Sequence, residues 1–149
     1  MKKIQLYLGF ITMIFILLGC SNETEKSNTE CTDTEREVPC LIVSGKNKVE
    51  AVRGTTSWDT FEADSDGPPY LVSYQEGELH AKLNSKIELQ FSEKPLSVIV
   101  YQWNAKDSIR EIQIEKNSFV VEQPGIIVYE VVAKWSEGIA HFAFEINVD

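Results

Sequence analysis

PGIIVYEVVAKWSEGIAHFAFEINV, residues 124–148, carries the clearest pattern in the chain. Taken alternately, Ile127, Tyr129, Val131, Ala133 and Trp135 point one way, and Phe142, Phe144, Ile146 and Val148 on the returning segment can meet them. Successive side chains of a strand point to opposite faces, so this period of two predicts a pair of half-buried strands. Ser136-Glu137-Gly138 supplies a glycine where a short hairpin with a bulge needs a left-handed residue. His141 falls on the face opposite Phe142 and Phe144, which places it toward solvent or at a sheet edge.

The same grammar runs back to about Val38. Short runs rich in Val, Ile, Tyr and Phe alternate with polar residues and are separated by Gly, Pro, Asn and Ser. Candidate strands are residues 48–54, 70–74, 78–83, 86–92, 96–103, 109–115, 118–122, 126–135 and 139–148. In KIELQF (86–91), Ile87, Leu89 and Phe91 share a face and Glu88 and Gln90 the other. No long stripe with a period of 3.6 interrupts this series. The reading is all-β: a single antiparallel sandwich of seven to nine strands over residues 38–149, about 110 residues. The terminal pair, entered through Pro124-Gly125, resembles the F and G strands that close immunoglobulin-like domains. Ile127 stands where that family places the tyrosine of its tyrosine corner, so the resemblance implies the architecture and no function.

The N-terminus speaks of location. MKKIQLYLGFITMIFILLGC sets Lys2 and Lys3 before an apolar run over residues 4–18. That run is about 15 residues, short of the ~20 that cross a ~30 Å hydrocarbon core, and its layout is that of a secretory signal peptide. Leu17-Leu18-Gly19-Cys20 resembles the lipobox of bacterial lipoproteins. The resemblance implies a signal peptide over residues 1–19, a diacylglycerol on Cys20, and attachment to the extracytoplasmic face of the cell membrane. An uncleaved anchor and an ordinary secretory signal are the competing readings. Two acyl chains hold a protein to a bilayer where one is marginal, so no further membrane segment is needed.

Removal of the leader leaves 12 basic against 23 acidic residues, a net charge of −11. A chain this acidic is repelled by anionic head groups and by phosphate backbones, which argues against nucleic acid as a partner. Residues 21–37, SNETEKSNTECTDTERE, contain no aliphatic or aromatic residue. With Cys20 they form a polar tether, expected to stay disordered because it cannot bury enough apolar surface. With Cys20 taken by lipid, Cys31 and Cys40 remain. In an exported chain they can close a disulfide, worth roughly 2.5–3 kcal/mol in the chain-entropy model, or stay as two free thiols. The sequence leaves both open.

GTTSW (54–58), GPPYLV (67–72), VYQWN (100–104) and the terminal hairpin are similar to small uncharacterised lipoproteins of Gram-positive bacteria. That resemblance brings no activity, cofactor or catalytic residue. EADSDGPPY (62–70) looks like the front of a calcium loop, with Glu62, Asp64 and Asp66 at alternate positions and Gly67 at the sixth. The twelfth position is Ser73 in place of a bidentate glutamate, and Pro68 and Pro69 follow the glycine, so an EF-hand is excluded. An acidic turn stiffened by Pro-Pro is the plainer reading. His80 and His141 are the only histidines, and HExxH, GxSxG, SxxK and phosphate-cradling glycine motifs are absent from the sequence. Trp103, with Ile99 and Tyr101 on its face, and Trp135, with Tyr129 on its, are expected to pack in the core. Trp58 is the candidate for an exposed binding aromatic, with Asp64 and Asp66 beside it in sequence.

Together these point to a non-catalytic binding or interaction module, without cofactor or metal, displayed at the cell envelope for a protein, peptide, glycan or small ligand. The alternative is an extracellular enzyme or protease-inhibitor-like protein working through residues 58–69.

Overall fold

The computed structural model describes residues 31–32, 37–104 and 108–149, with only the backbone at 108 and 109. The expected leader, Cys20, and the residues of the expected tether up to 30 and at 33–36 lie outside the described residues. Strands β1 (Leu41–Ser44), β2 (Lys48–Glu50), β3 (Val52–Trp58) and β4 (Phe61–Ala63) precede a single helical turn, α1 (Pro68–Leu71), extended as a 3-10 turn over Val72–Tyr74. After it come β5 (Leu79–Ala81), β6 (Lys86–Phe91), β7 (Ser97–Asn104), β8 (Ser108–Ile112), β9 (Ser118–Val120), β10 (Gly125–Lys134) and β11 (Gly138–Val148).

Two sheets pack face to face as an all-β sandwich. One has the order β2-β1-β6-β9 and the other β4-β3-β11-β10-β7-β8, with β5 laid parallel along the end of β11. From β5 onward the order is immunoglobulin-like. β6 and β9 take the places of strands B and E, while β7, β10 and β11 take those of C, F and G. Among the described residues no strand lies outside β9, where that order would continue with D.

The eleven strands among the described residues exceed the seven to nine expected, for local reasons. Residues 48–54, read as one strand, divide at Ala51: β2 pairs with β1 in one sheet, and β3 crosses to pair with β11 in the other. The strand expected over residues 70–74 is a correction. Pro68 and Pro69 fix φ near the helical value and lack the N–H that a first helical turn leaves unpaired, while the N–H groups of Tyr70 and Leu71 both donate to the Gly67 carbonyl. β1 and β4 are too short to show a period. Within residues 58–69, Trp58 ends β3, Phe61–Ala63 form β4, and residues 64–67 connect to α1; residues 59–67 are exposed throughout.

The terminal hairpin sits at the centre of the larger sheet. Tyr129 lies opposite Phe144 and Val131 opposite Phe142, all buried. The Tyr129 and Phe144 rings stack at 5.6 Å, and Phe119 from the smaller sheet closes on Tyr129 at 4.8 Å. Each such ring contributes a large buried apolar area, of order 2–3 kcal/mol when fully removed from water. Trp135 is also in the core, its indole N–H donating to the Glu93 carbonyl at 3.1 Å.

Two aromatic expectations are overturned. Trp58 is only 9% exposed and packs on Trp135 with ring centroids 5.7 Å apart, so it offers no binding platform. Trp103 is outside the core, because β7 turns Val98, Val100 and Gln102 inward and Ile99, Tyr101 and Trp103 outward. Gln102 can be buried because its amide donates to Asn104 Oδ1 and Gln123 Oε1, each at 2.9 Å. No helix among the described residues is long and apolar enough to cross a membrane.

Candidate functional site

The outer face of the larger sheet gathers the side chains that the inner face rejects. Along β10 these are Ile126, Val128, Glu130, Val132 and Lys134; along β7, Ile99, Tyr101 and Trp103; along β11, Ile139, His141 and Ala143. Register sets Glu130 between Tyr101 and Ala143, with Trp103 and His141 on opposite diagonals. Diagonal neighbours in a sheet lie within reach of long side chains, and both bonds form. Trp103 Nε1 donates to Glu130 Oε2 at 3.1 Å, and His141 Nδ1 meets Glu130 Oε1 at 2.8 Å.

Glu130 thus has both carboxylate oxygens engaged, and its side chain is 13% exposed although it points away from the core. Ala143 beside it has no side chain beyond Cβ, which leaves room for His141 to reach across. The result is a fixed polar centre that holds the Trp103 indole in one orientation. Around it lie half-buried Val128, Val132 and Tyr101, with Ile99 39% and Ile126 69% exposed.

The opposite flank of this face is covered by the segment following β4. α1 lies against β3, β10 and β11. It approaches closely because β3 carries Gly54, where a Cβ would come within 2.8 Å of Leu71 Cδ1. Ser65 is held to Thr55 by a hydroxyl pair at 3.2 Å, and the Gln75 side chain bonds to the backbone of Glu145. Thus GTTSW and GPPYLV, separated by β4 and its connections, meet through Gly54 and Leu71 on the face that also displays Tyr101 and Trp103 of VYQWN.

The residues singled out from sequence land elsewhere. Trp58 is in the core; Asp64 and Asp66 are exposed on the connection between β4 and α1 and do not join the Glu130 cluster. Among the described residues no group of three or more His, Cys, Asp or Glu side chains is placed to hold a metal ion. Cys31 and Cys40 form a disulfide, their Cα atoms 6.2 Å apart, within the usual range. Next to it Thr32 donates through both N–H and hydroxyl to Glu50 Oε2, and Arg53 donates to the Val38 carbonyl. The chain is therefore fastened to the body at Cys31 and Thr32. Cys20 lies outside the described residues. Glu130, Tyr101 and Trp103 were missed as site residues. The available signal was a glutamate in the middle of the otherwise aliphatic outward series 126, 128 and 132.

No protein-family model, curated protein or solved structure matches this chain.

Proposed function

We propose that the chain is a lipoprotein, anchored through Cys20 at the extracytoplasmic face of the cell membrane, whose sandwich serves as a non-catalytic binding module. The exposed part of the outer sheet face, from Ile126 across Trp103 and Tyr101 to Ile99, is its binding surface. One observation carries this reading: an aromatic and aliphatic strip is left open beside a covered flank, with a half-buried carboxylate, engaged through both oxygens, fixing its central indole. Apolar area contributes affinity, and rigid aromatic anchors lose little entropy on binding. A carboxylate whose oxygens are both committed is poorly placed to take a proton from a substrate, which favours binding over turnover.

The partner is expected among envelope proteins, peptides or glycans within reach of the anchor. Photo-crosslinking from position 99 in cells, with position 88 on the outer face of the smaller sheet as control, tests the surface. Adducts from 99 and none from 88 support it; equal labelling, or none from 99, rejects it. Mass spectrometry tests the anchor separately. Diacylglycerol on Cys20, and a precursor or soluble form in Cys20→Ser, are the expected results.

A further inference from the structure

Among the described residues, the side of the sandwich between β8 and β9 is open. The two strands end their respective sheets and line one groove of about 600 Å³. Its floor is Ile112, Ile114 and Phe119, and its rim carries Lys86, Arg110, Glu111, Glu115 and Glu122. The volume is that of an ordinary ligand pocket, but its walls are the backbones of two edge strands. At the two ends of β9, Leu89 N–H donates to the Asn117 carbonyl and Val121 N–H to the Ser85 carbonyl. Bonds in an antiparallel ladder alternate, so residues 117, 119 and 121 face β6 while Ser118 and Val120 face away. Ser118 is closed by reciprocal backbone bonds with Glu115, which leaves the edge open from Val120 onward.

We infer that this groove receives an extended segment of a partner protein, added as a strand beside β9 in the place an immunoglobulin-like order gives to strand D. An unpaired backbone edge selects an extended chain, and the apolar floor selects apolar side chains at alternate positions. The rim sets the charge. Arg110 pairs with Glu122 at 3.2 Å and Lys86 with Glu88 at 3.7 Å, while Glu111 and Glu115 have no ion-pair partner among the described residues. Basic residues at the outward positions of the incoming strand therefore suit it. The chain's own residues 21–37 do not, since they offer no apolar side chain for the floor. This site is separate from the outer-face strip and does not rest on its assignment.

A synthetic decapeptide alternating valine with lysine and threonine is the probe, titrated by calorimetry into the full chain as exported, in detergent micelles. Hydrogen exchange read by mass spectrometry then locates it. Binding is expected with slowed exchange over residues 118–122. The same peptide N-methylated at alternate residues, which leaves the protein untouched, should bind about tenfold more weakly, as should Val120→Pro, each removing one or two backbone hydrogen bonds. Three results overturn the proposal: no binding, protection confined to the β7–β10–β11 face, or equal binding of the N-methylated peptide. Protection at residues 118–122 that rises with protein concentration and without peptide also overturns it, by assigning the groove to a second copy.

Discussion

The side chain of Gln75 stands in for a strand beside Glu145. Glu145 N–H donates to Gln75 Oε1 at 2.8 Å, and Gln75 Nε2 donates back to the Glu145 carbonyl at 3.3 Å. β3 stops pairing with β11 at Ala143 and β5 begins at Ile146, so one primary amide bridges the interval between them. Gln75→Ala leaves two half-buried backbone groups without partners and should cost ~1–3 kcal/mol. Chemical denaturation measures it. Exchange of the Glu145 amide should quicken at the same time, since the same bond protects it.

Phe144 and His141 test which side of the hairpin is inside. Phe144→Ala opens a cavity against Tyr129 and should cost roughly 3–5 kcal/mol, a large share of the ~5–15 kcal/mol of a typical domain. His141→Ala removes one partner of a half-buried carboxylate and should cost about 0.5–1.5 kcal/mol. A thermal melt of each variant gives the comparison. Equal losses would mean the two faces are exchanged.

Glu130→Ala should release Trp103 rather than the fold. The indole loses the acceptor that orients it, while Trp58 and Trp135 stay buried together in the core. Acrylamide quenching of tryptophan fluorescence is expected to rise. The loss of stability should stay near ~1–2 kcal/mol, because both former partners retain access to water.

Tyr129 makes the domain sensitive to alkali. Burial pushes its hydroxyl up to about 12 from the ordinary 10.0, with the nearby Arg110 guanidinium opposing and the Glu122 carboxylate adding to the rise. The folded state therefore holds this proton more tightly than the unfolded chain does. The resulting stabilisation, of order 2–3 kcal/mol, is fully present below pH ~10 and is lost as pH rises toward ~12. Tyrosinate absorbance should show one group titrating last. In Tyr129→Phe that step disappears, and the slope of stability over this range flattens.

The sandwich was legible where one face is buried and the other wet. β10 and β11 show this without ambiguity, because Ile127 to Trp135 and Phe142 to Val148 keep period two throughout. β7 misled, since its outward residues, Ile99, Tyr101 and Trp103, are more apolar than the inward Gln102. Residue type alone cannot report that Gln102 finds two amide partners inside. The helical turn at α1 was hidden for a related reason: Tyr70 and Val72 favour strands, and the geometry is set by the two prolines before them. The Glu130 cluster needs strand register to be seen, since its three members come from three strands.

β11 follows every other described strand in the chain, yet it lies inside the larger sheet, between β10 on one flank and β3, Gln75 and β5 on the other. Before β11 is added, β4-β3 and β10-β7-β8 have edges but no common seam. Contacts spanning long sequence separations form late and slowly. The larger sheet can thus be completed only when β11 arrives. In the export proposed above, a keystone that arrives after the other strands would act as a timer.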